Sequence, residues 1–273
     1  MKKVMGMLFP LLCWLSLSVP AIAGPYAPAA GQPGSTAVHM DDPAFVGWAT
    51  GYRDYIAGGN VDTTWQTPEK ALGKAVGGSY DVVSLGRGGQ ITLTFNPPIE
   101  DGEGWDFAVF ENSFSDTFLE LAYVEVSTNG QDFVRFDSIS LTPNPVGGFG
   151  NVDPTDIDGL AGKYRQGYGM PFDLQDLAGK TEVLAGDVDL ARIGYVKIID
   201  IVGDGTHSDS RAHVIYDPYP TVNSAGFDLD AIGVSNGAPY PAGEQPPPSA
   251  PSHDGQPGFG GGGGCFIATV SGR

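Results

Sequence analysis

Hydrophobic and polar side chains alternate with a period of two along much of the chain. Residues 91–95 (ITLTF) place apolar side chains at every second position, which predicts a strand with one solvent-facing side. The same alternation recurs in residues 122–127 (AYVEVS), and a second apolar run follows at residues 133–136 (FVRF). The pair Asn129-Gly130 lies between these two runs and is a strong β-hairpin signal. These segments predict antiparallel strands.

Three further segments predict strands deeper in the domain. Residues 105–110 (WDFAVF) are nearly all apolar, as expected of a central strand that is covered on both faces. Residues 194–202 (GYVKIIDIV) predict a long strand, and residues 227–234 (FDLDAIGV) predict the closing strand. The apolar positions of that last segment change parity near Ala231, which predicts a β-bulge there.

Helical patterns are weak, and only Pro68–Val76 and Pro171–Ala178 predict short helices. Many strands in series without alternating helices predict an all-β fold, an antiparallel β-sandwich with long loops and few short helices. The composition agrees with this expectation, because 41 Gly and 22 Pro residues supply turns and only 17% of the residues are charged.

The two ends of the chain differ in composition from its middle. Residues 1–23 predict a secretory signal peptide, with Lys2 and Lys3 before an apolar run that ends in a small-residue cleavage pattern. The apolar run is short for a bilayer span, which disfavours the alternative of an uncleaved anchor. Export to the cell surface or the extracellular space follows as the expected location. The β-sandwich domain is then expected over residues 24–237, followed by a Pro/Gly-rich tether (238–264) and a C-terminal tail (265–273).

The charge balance narrows the classes of partner. The formal net charge is −18, from 14 basic and 32 acidic side chains. Nucleic acids and anionic membrane surfaces need a basic footprint, so neither is an expected partner. Cations, glycans and surface proteins remain as partners, and nothing in the sequence indicates an obligate oligomer. Cys265 is the one cysteine after the signal peptide, so an intrachain disulfide is not expected in the exported chain.

Acidic residues indicate calcium as a candidate cofactor. Asp228 and Asp230 fall at a period of two, so both project from the same face of the closing strand. Hard oxygen ligands from separate strands would allow Ca²⁺ to crosslink segments that are distant in sequence. The predicted metal ligands are Glu111, Asp204, Asp209, Asp228 and Asp230. The loop Asp153–Asp158 is an alternative calcium site, and an ordinary solvated acidic surface is the alternative to both.

Other chemistries have weaker patterns. The four histidines are too scattered to form a zinc motif, although His207 and His213 could meet within one loop. Glycoside hydrolysis needs two carboxylates across a cleft, and Glu111 with Asp204 is the pair that we would nominate. Carboxylates are so abundant in this chain that such a pair carries little weight. No catalytic residue is therefore predicted.

Aromatic side chains in the loops are candidate ligand contacts. Sugar rings stack on flat apolar surfaces, and sandwich proteins commonly present such surfaces at their loop ends. The alternative is that these rings pack over the ends of the sandwich. The candidate ligand-binding residues are Tyr164, Tyr168, Tyr216 and Tyr219.

Several segments resemble known proteins. Residues 123–136 (YVEVSTNGQDFVRF), 192–199 (RIGYVKII) and 227–234 resemble strands of discoidin-like, galactose-binding-like jelly rolls. Residues 102–112 (GEGWDFAVFEN) and 160–174 (LAGKYRQGYGMPFDL) resemble a group of bacterial cell-surface proteins, as do residues 216–221 (YDPYPT) and 226–232 (GFDLDAI). Residues 260–269 (GGGGGCFIAT) resemble the CFI-type C-terminal box of exported bacterial proteins. The resemblance implies a jelly-roll fold and a surface location.

These observations lead to one expected function and two alternatives. We expect an exported, calcium-stabilised binding or adhesion module that recognises carbohydrate. The first alternative is a secreted glycoside hydrolase or similar hydrolase, which requires a cleft lined by opposed carboxylates. The second is a purely structural envelope protein, which would lack both a cleft and an exposed aromatic surface.

Overall fold

A computed structural model describes residues 23–237 as a protein built mainly from short strands. The strands are β1 (Val38–His39), β2 (Gly47–Trp48), β3 (Gly51–Ile56), β4 (Val83–Ser84), β5 (Gln90–Ile99), β6 (Phe107–Glu111), β7 (Ala122–Ser127), β8 (Val134–Arg135), β9 (Ile139–Ser140), β10 (Ile157–Asp158), β11 (Tyr168–Phe172), β12 (Ile193–Asp200) and β13 (Asp228–Val234). A short α-helix spans Thr181–Leu184, and 3-10 helices span Thr63–Trp65, Pro68–Ala71, Pro154–Asp156, Leu174–Leu177 and Leu190–Arg192.

The strands form two large antiparallel sheets and one small one. The first sheet has the order β3-β5-β12-β7-β8. The second has the order β1-β11-β6-β13-β2, and β4 also pairs with β13. Strands β9 and β10 pair separately. This architecture confirms the prediction of an all-β antiparallel sandwich.

The main core lies between the two large sheets. Leu93 and Ile198 from the first sheet and Phe107 and Leu229 from the second belong to one cluster of fully buried side chains. Strands β6 and β13 are buried along their whole length, because a second apolar cluster around Trp48 covers their outer face. The expectation of a central strand covered on both faces is therefore confirmed for β6.

The predicted hairpin and the predicted bulge are both present. Strands β7 and β8 pair across the Asn129-Gly130 turn, where Gly130 has a φ of +74° and its N–H donates to Ser127 Oγ at 2.8 Å. The pairing of β13 with β6 shifts register between Leu229 and Ala231. The change in hydrophobic parity therefore located the bulge correctly.

Both helix predictions need correction. The first helix is a 3-10 turn over Pro68–Ala71, and the chain then turns at Gly73, whose φ of +79° does not continue a helix. In the second segment, Pro171 belongs to strand β11, and a 3-10 helix begins only at Leu174. The carboxylate of Asp173 accepts a hydrogen bond from the Gln175 N–H at 2.9 Å, which starts this helix after the strand has ended.

Among residues 23–237, no helix combines the length and the apolar character needed to cross a bilayer. The predicted signal peptide (apart from Ala23), tether and tail lie outside the described residues.

Candidate cation-binding site

Three aspartates meet at one end of the sandwich. Asp101 lies in the turn after β5, Asp106 directly precedes β6, and Asp173 directly follows β11. Strands β6 and β11 pair with Phe107 opposite Phe172, and this register places Asp106 beside Asp173. One carboxylate oxygen from each residue lies within 4.8 Å of the other two. We refer to these residues as the three-aspartate site.

Asp106 is the buried anchor of the three-aspartate site. Its Oδ1 accepts hydrogen bonds from the Gly102 N–H at 2.9 Å and from Asn236 Nδ2 at 3.0 Å. Its Oδ2 accepts a hydrogen bond from the Leu174 N–H at 2.7 Å. Asp106 is fully buried. Through these hydrogen bonds its carboxylate links the β5–β6 turn to the segments that follow β11 and β13. Its position is fixed by two backbone donors and one side-chain donor from three parts of the chain.

Electrostatics at the three-aspartate site favour binding of a cation. Burial raises the pKa of Asp106 above its ordinary value, and the nearby charge of Asp173 raises it further against the lowering effect of its hydrogen bonds. Burial and the charge of Asp173 likewise raise the pKa of Asp101. The carboxylates therefore repel one another when ionised. A divalent cation would relieve this repulsion, and hard carboxylate oxygens are the ligands that Ca²⁺ prefers.

None of these three residues was among the metal ligands predicted from the sequence. Asp106 and Asp173 stand next to apolar strand residues, so each reads as an isolated polar position at a strand end. Only the pairing of β6 with β11 brings them together. That register is a long-range property, and no local spacing in the sequence encodes it.

The other end of the sandwich gathers three of the predicted ligands. Glu111 ends β6 opposite Leu229, so it lies beside the positions that carry Asp228 and Asp230. All three acidic residues are buried. Burial raises the pKa of Glu111 well above its ordinary value, and the charges of Asp228 and Asp230 add to this shift. Burial also raises the pKa of Asp228 to about 7 and that of Asp230 to about 6.

Each of these three carboxyl groups has hydrogen-bond donors. Glu111 accepts from the Ser113 N–H at 2.7 Å, and Asp228 accepts from Asn112 Nδ2 at 3.2 Å. Asp230 accepts from the backbone N–H groups of residues 76 and 77 at 3.1 and 2.8 Å. Each of the three carboxyl groups therefore has at least one oxygen that accepts a hydrogen bond from the surrounding chain.

Two more buried aspartates extend this group, which we call the buried acidic row (Glu111, Asp200, Asp217, Asp228 and Asp230). Asp200 accepts hydrogen bonds from the Gly88 and Phe227 N–H groups, both at 2.7 Å, and burial raises its pKa to about 7. Burial and then the charge of Asp200 raise the pKa of Asp217 well above its ordinary value. Burial thus raises the pKa of every member of the row above its ordinary value.

A small cavity adjoins the buried acidic row. Its empty volume is about 170 Å³. This volume includes space that is open to solvent, and the cavity encloses no room for a water-sized molecule, so it does not admit a sugar substrate. The lining residues are Arg87, Glu120, Asp200, Ile201, Val202, Asp217, Pro218, Thr221 and Gly226.

The remaining two predicted metal ligands lie in the loop between β12 and β13. Asp204 is exposed and accepts hydrogen bonds from the N–H and Oγ1 of Thr206, at 2.9 and 2.6 Å. Asp209 is buried and accepts hydrogen bonds from Ser140 and His213. The carboxylates that raise the pKa of Glu111 are Asp228 and Asp230. The five predicted ligands thus fall into two groups, and only Glu111, Asp228 and Asp230 form one electrostatic unit.

The four candidate tyrosines differ in exposure. Tyr164 is buried, and its hydroxyl group is 2.8 Å from Thr36 Oγ1, so it packs in the core. Tyr168 is half-buried and its ring lies 5.0 Å from His39. Tyr216 and Tyr219 are also half-buried, and the guanidinium group of Arg87 lies 5.3 Å from the Tyr219 ring centroid. None of the four is fully exposed to solvent.

A different aromatic pair is better placed to contact a ligand. The rings of Trp65 and Tyr80 stack with an interplanar angle of 18° and a centroid separation of 6.1 Å. Tyr80 is 62% exposed, which leaves much of its side chain accessible to solvent. Tyr80 was not predicted from the sequence, since a single tyrosine in a Gly/Ser-rich loop carries no pattern.

No protein-family model, no curated protein and no solved structure matches the chain. The likeness to surface proteins therefore rests on the sequence segments quoted above, and the functional conclusion rests on the chemistry of the sites.

Proposed function

We propose that this protein is an exported surface-binding or adhesion module whose β-sandwich is stabilised by Ca²⁺ at the three-aspartate site. The observation that carries the proposal is the convergence of Asp101, Asp106 and Asp173 with their carboxylate oxygens within 4.8 Å of one another. The signal-peptide pattern of residues 1–23 supports export. Calcium would bind as a structural ion rather than as a reagent.

The position of the site explains what Ca²⁺ would do for the fold. The turn after β5 belongs to one sheet, whereas Asp106 and Asp173 adjoin strands of the other sheet. An ion that binds all three carboxylates would join the two sheets at this end, in a chain without an expected disulfide. Ca²⁺ takes six to eight oxygen ligands, so water would complete its coordination.

Calcium is expected to raise the melting temperature of the protein. A ligand that binds only the folded state at about 100 times its Kd contributes about 2.7 kcal/mol. For a domain of this size the contribution corresponds to a rise of about 5–10 °C. The measurement is a thermal melt of the purified full chain in EDTA and again in excess CaCl₂.

Two variants make this test specific. Asp173→Asn removes a ligand charge but retains an oxygen that can accept from Gln175, so it should abolish most of the calcium shift while leaving the melt in EDTA nearly unchanged. Asp62→Asn is the matched control, since Asp62 is exposed and its side chain forms no cap hydrogen bond. A calcium shift that is equal in the wild type and in Asp173→Asn would contradict the proposed site.

Carbohydrate is the ligand class that the exposed aromatic pair favours. Flat aromatic rings offer apolar surface for the C–H faces of sugars, and Tyr80 also presents a hydroxyl group. Lys70 Nζ donates to the Tyr80 carbonyl oxygen at 2.6 Å, which helps to position this loop beside Trp65. Tyr80 is more accessible than Tyr164, Tyr168, Tyr216 or Tyr219, so the stacked pair takes their place as the proposed glycan contact.

Loss of the Tyr80 ring is expected to weaken glycan binding about tenfold, because an aromatic stacking contact is worth about 0.5–1.5 kcal/mol beyond its buried area. The measurement is binding of the full chain to a panel of immobilised polysaccharides, repeated with Tyr80→Ala on any glycan that the wild type retains. Phe149→Ala is the matched control, since Phe149 is 58% exposed. Failure of the wild type to bind any glycan, or equal binding by Tyr80→Ala, would contradict this assignment.

The same observations favour a binding module over the two alternatives. A hydrolase needs a concave site that admits its substrate, and the cavity beside Asp200 and Asp217 is small for that purpose. A purely structural envelope protein does not require an exposed aromatic pair such as Trp65 and Tyr80. Binding without catalysis is therefore the function that we propose.

A further inference from the structure

The loop between β12 and β13 contains a short antiparallel hairpin. Ser208 and Val214 form a β-bridge, and the Asp209 N–H donates to the His213 carbonyl oxygen at 2.8 Å. The Ile215 N–H donates to the His207 carbonyl oxygen at 3.0 Å. Asp209 therefore lies opposite His213 in the hairpin, and His207 lies opposite Ile215. Because alternate residues of a strand share a face, His207 lies on the same face as Asp209 and is diagonal to His213. This register places two histidines and one aspartate on one face of the hairpin.

The first histidine, His213, is held in one tautomer by Asp209. The Asp209 side chain is fully buried, and His213 Nδ1 lies 2.9 Å from its Oδ2. The carboxylate of Asp209 also accepts hydrogen bonds from the backbone N–H groups of Ser140, Arg211 and His213. An ionised carboxylate only accepts hydrogen bonds, so Nδ1 carries the proton in neutral His213. Its Nε2 then has a free lone pair, and the side chain is 49% exposed.

The second histidine, His207, has the same tautomer for a different reason. Thr206 Oγ1 donates its single proton to Asp204 Oδ1 at 2.6 Å. His207 Nδ1 lies 3.3 Å from Thr206 Oγ1. Because the hydroxyl proton is already donated to Asp204, this oxygen can only accept a hydrogen bond from Nδ1. Nδ1 of neutral His207 therefore carries the proton, and its Nε2 also has a free lone pair. Both imidazoles are thus prepared to bind through the same ring atom.

We propose that His207 and His213 form a binding site for a transition-metal cation of the Zn²⁺ type. Neutral imidazole is a preferred ligand of Zn²⁺, and the carboxylate–histidine pair formed by Asp209 and His213 is the support that metal-binding histidines commonly have. Diagonal positions of a hairpin lie about 7–8 Å apart, which is within reach of two long side chains. Asp209 and Thr206 act as positioning residues, and water completes the coordination.

This site is independent of the proposed calcium site. Ca²⁺ binds through hard oxygen ligands, whereas imidazole nitrogen selects transition metals. The calcium ligands Asp101, Asp106 and Asp173 share no residue with the hairpin. Either proposal can therefore fail without affecting the other.

The test is calorimetric titration of ZnCl₂ into the untagged full chain. We expect saturable binding of one Zn²⁺ per chain and at least tenfold weaker binding for His207→Gln and for His213→Gln, whose folding is checked by circular dichroism. Asp209→Asn should weaken binding about 10–100-fold through loss of the support to His213. His39→Gln is the matched control, since His39 is exposed on β1, and it should bind as the wild type does.

Three results would overturn the proposal or part of it. Absence of saturable Zn²⁺ binding by the wild type would overturn the site. Wild-type affinity in both His207→Gln and His213→Gln would also overturn it and would assign the metal to other residues. Wild-type affinity in a folded Asp209→Asn variant would overturn the positioning role of Asp209.

Discussion

In EDTA the melting temperature is expected to fall by about 10 °C or more between pH 5 and pH 8. The reason is the buried acidic row, in which burial raises the pKa of Asp200 and Asp228 to about 7 and that of Asp230 to about 6. Each pKa unit corresponds to about 1.4 kcal/mol, so groups that lose protons in this interval cost a few kcal/mol together. For a domain of this size, one kcal/mol shifts the melting temperature by about 2–4 °C.

The sign of the pH effect follows from proton binding in the two states. Unfolded aspartates ionise near their ordinary pKa of about 4, whereas the folded protein keeps these protons to about pH 6–7. The folded state therefore binds more protons between these values, and its free energy of unfolding falls as pH rises. Asp137 and Asp204 have lowered pKa values through contacts with Lys180 and Thr206, and their contribution is lost only below about pH 4. Burial lowers the pKa of Lys163 to about 8, so this group changes the slope of stability against pH mainly above this interval.

A neutral replacement tests the cause of the pH effect. Asp228→Asn retains an oxygen that can accept from Asn112, so it should raise the melting temperature at pH 8 and reduce the difference between the two pH values. Asp187→Asn is the matched control, since Asp187 is exposed, and it should leave the pH profile unchanged. A flat profile in the wild type would show that the buried acidic row is ionised in the folded protein at little cost.

Replacement of Asp106 by Ala is expected to destabilise the protein by about 3 kcal/mol or more, even without a metal. The change leaves the buried Leu174 N–H and the partly buried Gly102 N–H without their acceptor, and a buried donor without a partner costs about 1–3 kcal/mol. It also empties the space of a buried side chain and removes one of the acceptors of Asn236. Denaturant unfolding in EDTA at pH 7 measures the change. Asp106→Asn should fall between the wild type and Asp106→Ala, since it retains one acceptor oxygen.

The matched control for this prediction is Asp101→Ala. Asp101 is half-buried in the same turn, and its backbone N–H donates to the Leu190 carbonyl oxygen, a contact that an alanine also makes. In EDTA its loss should cost less than about 1 kcal/mol. Equal stability of Asp106→Ala and the wild type would contradict the anchoring role assigned to Asp106.

Much of the strand framework could be predicted because it depends on local patterns. Alternation marked β5 and β7, Asn129-Gly130 marked the hairpin, and a change of parity near Ala231 marked the bulge. The weak helical pattern of Pro171–Ala178 predicts a helix, and this prediction is wrong at its first residue. Pairing of β11 with β6 overrides that local signal, and the tertiary contact makes Pro171 a strand residue.

The sites were only partly predictable, because they depend on pairing between distant segments. The spacing of Asp228 and Asp230 predicted a shared face, and Glu111 does lie beside them. Their complete burial was not predicted, because it depends on segments distant in sequence, such as residues 76 and 77, whose N–H groups donate to Asp230. The convergence of Asp106 with Asp173 depends on the β6–β11 register, which no local spacing encodes.

A crystal structure of the full chain grown with CaCl₂ tests the central claim most directly. The account predicts electron density for one ion bound by Asp101, Asp106 and Asp173, at about 2.3–2.6 Å from their carboxylate oxygens. Asp173→Asn crystals grown in the same solution should lack this density. Well-ordered wild-type crystals at saturating calcium with no ion among these three residues would contradict the account.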